Sequence, residues 1–306
     1  MITQNPAISV VVCTHNRAAY LSAMLDSFYA QDLAGASYEV LVVDNASTDE
    51  TAEIAAAHQE SPGFRYVYEP QQGLSHARNR VLAEACGGVV AYLDDDVLVS
   101  QRWLAALARC FEETKADVVG GRSLLRFEQT PPPWFGPQFR RMLSEVDLGD
   151  SRCDAGDGRR LYGLNLAYRA DALRRIGGFD TGYGRTGANL VSGEDLRANA
   201  LIAAEGGRLV YEPEALVEHQ IPAARCEWDY LMRLAQTGVA TRLTLDTDAP
   251  RGRRAAATLE ALAKYMLAVA GAPAAFIRGR ESYAWRLNRI ERLRQSALTL
   301  GYIAHR

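Results

Sequence analysis

Short β-rich apolar runs alternate with amphipathic stretches over the first hundred or so residues, and this restricts the chain to an α/β sheet with crossover helices. Ile8–Cys13, Tyr38–Val43 and Val89–Leu93 are the apolar runs. Strands buried on both faces read this way. Between them, Ala18–Ala30 carries Leu21, Met24, Leu25 and Phe28 at helical spacing. Asp49–His58, His76–Ala85 and Trp103–Glu113 also read as helices, and Arg65–Glu69 as a short strand. The alternation predicts a mostly parallel, doubly wound sheet. Such sheets bind ligands beyond the carboxyl ends of their strands. Thr14–Arg17, Asp44–Thr48 and Asp94–Asp96 each follow an apolar run, so one crevice is expected to collect all three.

The remainder is less regular. Val118–Arg126 and Leu161–Tyr168 read as strands, Asp171–Ile176 and Asp195–Ala204 as helices, and Arg208–Tyr211 and Leu216–Glu218 as two short strands. Thr130–Phe139, with Pro131-Pro132-Pro133, reads as a stiff loop, and Thr181–Gly193, with four glycines, as a mobile one. From Trp228 onward the pattern is helical. The expected division is residues 1–224 for the α/β domain and 225–306 for a helical appendage.

Charge supports that division. The chain carries 34 Lys+Arg and 37 Asp+Glu, a net of -3. Residues 225–306 hold 14 of the former and 7 of the latter, leaving 20 and 30 for the body, so a +7 tail follows a -10 body. A basic tail suggests an anionic partner such as a membrane surface or a lipid-linked diphosphate, and no nucleic-acid partner is expected. Five cysteines without metal-ligand spacing fit a reducing, cytoplasmic setting. The N-terminus does not read as a signal peptide, and the longest apolar run, Tyr265 to Ile277, is too short to span a bilayer. In the last helical stretch Leu287, Ile290, Leu293 and Ala297 form one stripe, with Arg286, Arg289 and Arg292 beside it. The stripe reads as packing on its own domain, with an interfacial, peripheral-membrane role as the alternative.

Three adjacent carboxylates at Asp94-Asp95-Asp96 repel one another, and a bound cation relieves that repulsion. Hard oxygen ligands suit Mg²⁺ or Mn²⁺, which keep positions open for phosphates. A solvated acidic turn is the alternative. Thr14 and Asp44 have the chemistry to read a nucleobase edge, since a carboxylate accepts a hydrogen bond from a ring N–H. Arg78, in Gly73-Leu74-Ser75-His76-Ala77-Arg78-Asn79-Arg80, suits a base or a phosphate.

These stretches, in this order, resemble the family 2 glycosyltransferases of GT-A fold. The matching pieces are Val11-Val12-Cys13-Thr14-His15-Asn16-Arg17, Val43-Asp44-Asn45-Ala46-Ser47-Thr48-Asp49, the Gly73–Arg80 stretch, and Tyr92-Leu93-Asp94-Asp95-Asp96-Val97. Further matches are Tyr162–Arg169, Ile176–Asp180, Gly193-Glu194-Asp195-Leu196 and Val217-Glu218-His219. The ordered set spans roughly residues 7–220 and is most similar to bacterial polysaccharide-biosynthesis members. The resemblance implies a nucleoside held by Thr14, Asp44 and Arg78, and Asp94 and Asp95 near the ribose and diphosphate. Asn16, Arg17, Asn45 and Asn165 complete the implied donor-binding set. It further implies Asp96 as ligand to Mg²⁺ or Mn²⁺ and His219 as a further metal or phosphate contact. Glu194-Asp195 matches the family's acidic pair, with Asp195 as general base. Such a base takes the proton of the acceptor hydroxyl opposite the leaving diphosphate. The Gln-x-x-Arg-Trp signature of processive synthases is absent, since Ala224-Arg225-Cys226-Glu227-Trp228 does not match it. The expected protein is an inverting, metal-dependent, non-processive glycosyltransferase. A catalytically silent nucleotide-sugar or glycan-binding protein is the alternative. Trp134 and Trp228 are candidates for an acceptor platform, because sugars stack on aromatic faces, and a hydrophobic lid is the other reading.

Overall fold

The computed structural model describes residues 7–33, 35–156, 161–186, 192–245, 251–279 and 282–304. It begins with β1 (Ile8–Thr14), α1 (Ala18–Tyr29), β2 (Tyr38–Asp44), α2 (Thr51–Ala57), β3 (Phe64–Tyr68), α3 (Leu74–Glu84) and β4 (Val89–Asp94). Next come β5 (Val97–Val99), α4 (Trp103–Thr114), β6 (Val118–Phe127), α5 (Pro137–Met142), β7 (Cys153–Asp154), β8 (Asn165–Arg169) and α6 (Ala170–Arg175). Then follow α7 (Glu194–Ala204), β9 (Leu209–Ile221), α8 (Trp228–Leu245), α9 (Arg251–Ala270), α10 (Ala272–Ile277) and α11 (Tyr283–Ala304). Among the described residues, nine strands form one sheet in the order β3-β2-β1-β4-β8-β6-β9-β5, with β7 beside β9.

Alternation along β1 shows why the sheet forms. Val10 and Val12 point to one face and pack with Leu21, Met24 and Phe28 of α1 and Trp103 of α4. Val11 points to the other face and packs with Val81 of α3 and Leu173 of α6. A strand with a period of two thus supplies both core layers. β1 pairs parallel with β2 and β4, and the register sets Thr14 beside Asp44 and Cys13 beside Asp94. The three expected loops therefore start at one level of one edge.

The parallel arrangement holds for β1 to β4 and stops there. β8 runs antiparallel to β4 and β6, and β9 runs antiparallel to β5 and β7, so the sheet is mixed. Two predicted strands, 208–211 and 216–218, are one strand of 13 residues. Pro213 falls between the β7 pairing at Val210–Tyr211 and the β5 pairing at Val217–His219, where no ladder N–H is needed on that edge. Gly121 lies where β6 meets its neighbours most closely. A Cβ there would collide with the Ala215 carbonyl oxygen and the Asn165 side chain.

The chain divides into two compact units. One comprises the described residues of 1–126, 144–186 and 194–220, and contains the sheet. The other comprises 127–143, 192–193 and the described residues from 221 onward. The helical unit takes in the proline-rich segment, part of which forms α5. Within it, Val239, Ala261 and Leu298 knit α8, α9 and α11 together. No described helix is long and apolar enough to cross a membrane.

Candidate active site

The rim expected to take the donor is built on the ends of β1 and β2. The Asn45 N–H donates to the Thr14 carbonyl at 2.9 Å. Asp44 is buried, and its oxygens accept from the Ser47 N–H at 2.8 Å and the Tyr66 hydroxyl at 2.7 Å. Burial, and after it the bond to Asp44, pushes the Tyr66 phenol above its usual range. Tyr66 was not anticipated. The Tyr66-x-Tyr68 repeat on β3, which leaves both rings exposed on one face, was the available signal.

Two asparagines of the expected donor set hold loops in place. Asn45 donates to the Glu69 and Gln71 carbonyls at 3.1 and 2.7 Å and accepts from the Gly73 N–H at 2.7 Å. It thereby fixes the turn into α3. Asn16 adopts a φ of 54° and accepts from the Thr48 N–H at 2.7 Å, tying the β1 loop to the β2 loop. Left-handed backbone is well tolerated by asparagine, whose short amide bonds locally.

Asn165 requires a correction. Its Oδ1 accepts from the Trp103 indole at 2.9 Å, and its Nδ2 donates to the Ala215 and Arg122 carbonyls at 2.8 and 3.1 Å. The amide is buried and engaged on both atoms inside the sheet layer. It pins α4, β6 and β9 together and does not present its side chain to a donor.

At the end of β4 the acidic triplet divides into distinct environments. Asp95 and Asp96 are buried, whereas the Asp94 side chain is 38% exposed. Arg17 spans the buried pair, with Nε 3.2 Å from Asp95 and Nη2 2.8 Å from Asp96. Burial pushes the Asp95 carboxyl up to about 7, against the pull of Arg17. His219 enters through β9, whose pairing with β5 sets it opposite Val97, and its Nε2 lies 3.4 Å from Asp96 Oδ2. A carboxylate and an imidazole on adjoining strand ends fit a divalent ion whose remaining positions go to substrate phosphates. Among the described residues no group of three or more His, Cys, Asp or Glu side chains is placed to hold a metal ion.

Arg78 links this rim to the acidic pair. It is buried, its Nη1 lies 2.6 Å from Glu194 Oε1 and its Nη2 3.7 Å from Asp94 Oδ1. The rings of Tyr92 and Phe179 lie 5.6 and 5.4 Å from its guanidinium carbon. The sequence suggested a nucleoside contact for Arg78, and the structure instead commits part of its fork to Glu194. Glu194 and Asp195 open α7, where the helix dipole favours negative charge. Burial raises the Glu194 pKa, with Arg78 opposing it. Glu194 Oε2 is buried without a hydrogen-bond partner among the described residues. Asp195 accepts from the Gly163 N–H and from the Leu196 N–H, each at 2.7 Å, which fixes the carboxylate plane and leaves a lone pair on each oxygen.

Trp134 and Trp228 belong to the helical unit. Their rings meet edge to face at 6.2 Å, and Arg286 sits over both, 4.1 and 4.9 Å from the centroids. Trp134 is buried. The expected stacking platform is therefore an internal aromatic–arginine stack, which takes up the ring faces a sugar would use.

The family model for glycosyl transferase family 2 matches residues 9–177. A glucosyl-dolichyl phosphate glucuronosyltransferase of Haloferax volcanii is 26% identical over 232 residues, covering 74% of this chain and 72% of that protein. The succinoglycan biosynthesis protein ExoM of Rhizobium meliloti is 29% identical over 274 residues, covering 88% and 82%. Among solved structures, the mannosyltransferase PcManGT from Pyrobaculum calidifontis, in complex with GDP-Man and Mn²⁺, superposes with a TM-score of 0.65 at 22% identity, over 99% of this chain and 87% of that one.

Proposed function

The chain belongs to glycosyl transferase family 2, and from that premise we propose that it moves one sugar per encounter, with inversion, to an acceptor hydroxyl. It is a glycosyltransferase of GT-A fold that uses a nucleotide-sugar donor. Its product is a surface polysaccharide or a glycoconjugate, and its acceptor a glycan, a lipid-linked sugar or a small molecule.

The observation that carries this reading is the convergence, within the sheet unit, of Asp96 with His219 and of Arg78 with both Asp94 and Glu194. Donor-side carboxylates and base-side carboxylates are thereby joined through one buried arginine. Asp96 and His219 would hold Mg²⁺ or Mn²⁺, which, when bound, offsets the charge growing on a departing diphosphate. Thr14 and Asp44 bound the nucleoside side, with the Tyr66 hydroxyl orienting the Asp44 carboxylate. Asp195 takes the proton of the acceptor hydroxyl at a carboxylate oxygen, and the Gly163 and Leu196 N–H groups hold it at one angle for that transfer. Glu194 positions Arg78.

Asp195→Asn is expected to leave donor affinity within about twofold and to lower transfer about 10²–10⁴-fold, the span usual for loss of a general base. One observation favours a second assignment: Glu194 has a buried oxygen with no hydrogen-bond partner among the described residues, and burial raises its pKa. If Glu194→Gln abolishes transfer while Asp195→Asn does not, the base is Glu194. If neither change matters, the chain binds nucleotide sugars without turning them over. For the metal, calorimetry of donor binding should show strong dependence on Mn²⁺ or Mg²⁺. Equal affinity in EDTA and in Mn²⁺ overturns that part.

A further inference from the structure

Helix α9 is inside out by the standard of a soluble bundle. The side it buries is made of small or polar residues, Thr258 and Ala261, with Ala257, Tyr265 and Ala268 partly covered. The side it exposes carries Leu259, Leu262, Met266 and Leu267, the last 73% exposed. Phe276 and Ile277 of α10 add to this, with Ile277 84% exposed. Among the described residues, eight of the eleven exposed large apolar side chains lie on α9, α10 and α11. Single exposed leucines are ordinary, but seven exposed large apolar side chains on the consecutive helices α9 and α10 mark an interaction surface.

Two features identify the partner by its chemistry. The first is charge. Residues 225–306 carry a net +7, and α9 itself begins Arg251-Gly252-Arg253-Arg254. A second copy of this chain would bring the same positive charge to the same patch, which like-charge repulsion opposes. An anionic surface has the complementary sign. The second is continuity with a cavity of about 900 Å³ in the same helical unit. Val269 and Phe276 belong to both the exposed patch and the cavity wall, and Arg289 and Arg292, both exposed, complete that wall. Guanidinium groups bordering exposed apolar side chains form the pattern of a helix lying in a headgroup layer, with apolar residues directed to the acyl region and cations to the phosphates. No described helix is long and apolar enough to cross a bilayer, so the arrangement suits lying on a membrane.

We propose that the exposed face of α9 and α10 docks the protein on an anionic phospholipid surface, with the arginines of the adjoining cavity at the headgroups. For α11 the sequence reads as packing on its own domain, with an interfacial role as the alternative. The α11 stripe packs inward, with Ile290 buried and Leu287, Leu293 and Ala297 half-buried, so the interfacial face belongs to α9 and α10.

The test is flotation of the full chain with vesicles of equimolar phosphatidylcholine and phosphatidylglycerol at low ionic strength. The protein should float with these vesicles, and salt should release most of it, since the attraction is screened over roughly 10 Å at 0.1 M. Leu267→Gln with Ile277→Gln should lower the bound fraction about tenfold or more, given the area each side chain would bury. Arg289→Gln with Arg292→Gln should lower it by a similar factor. All four side chains are exposed, so melting temperatures should match the parent; if one double variant melts early, the other decides. Absence of flotation at low salt overturns the proposal, as does undiminished binding by a normally melting apolar variant. If sedimentation without lipid instead shows a dimer that Leu267→Gln with Ile277→Gln dissociates, the face belongs to a second copy and the proposal falls.

Discussion

The sheet unit and the helical unit use hydrophobicity in opposite ways. In the sheet unit, large apolar side chains such as Trp103, Phe28 and Tyr168 are wholly buried, and buried polar groups such as Asn165 are hydrogen-bonded. In the helical unit, small residues of α9 fill the contact with its neighbours while leucine and methionine face outward. The first arrangement is what a self-sufficient core requires, because burying large apolar area is the main stabilising term. The second gives up part of that term, which indicates that the outward residues serve a contact outside the fold.

Substitutions can break or sharpen this contrast. The largest effect is expected at Arg78. Arg78→Met leaves Glu194 buried without its ion-pair partner, and loss of one partner of a buried pair costs about 3–5 kcal/mol. Urea unfolding measures it, and a cost under about 1 kcal/mol would mean that the pair is not a structural element of the sheet unit. Trp103→Ala, at the centre of the core, should cost about 3–5 kcal/mol by the same assay. Next is Asn165→Ala, which strands the Trp103 indole and two carbonyls and should cost about 1–3 kcal/mol while leaving donor affinity little changed. If donor affinity falls strongly at unchanged stability, Asn165 contacts the donor after all. The smallest effect is expected on α9. Leu259→Ser or Leu267→Ser should change stability by no more than about 0.5 kcal/mol in the absence of lipid. A loss comparable to that at Trp103 would show that the outward face is packed, and the contrast would collapse.

The candidate site residues show how far the chain could be read unaided. The strand-end positions Thr14, Asp44 and Asp94–Asp96 were recognisable because a crossover sheet must bring the carboxyl ends of adjacent parallel strands to one level, and β1, β2 and β4 do pair that way. The asparagines were over-read. Asn16, Asn45 and Asn165 sit within the right stretches, yet Asn45 and Asn165 spend both ends of their amides inside the fold, and Asn16 spends its Oδ1 on the Thr48 N–H. An asparagine that binds a ligand and one that ties down a loop look alike in sequence, because both need one donor and one acceptor in a turn. Trp134 and Trp228 were over-read for a similar reason: an aromatic ring stacks on an arginine as readily as on a sugar.

The sequence by itself determined the elements and their kind. Periodicity of two and of 3.6 is a local property, written in consecutive residues, and it was sufficient to predict β1 to β4, the helices between them and a basic helical tail. Tertiary structure alone decided the partners. That Arg78 turns to Glu194 and that the second half of the sheet runs antiparallel depend on strand order and register. The outward turn of α9 was likewise undetermined, since its spacing fits a helix with either face inside. Only the set of neighbours against which a helix packs selects which face is covered, and that selection is made by contacts distant in sequence.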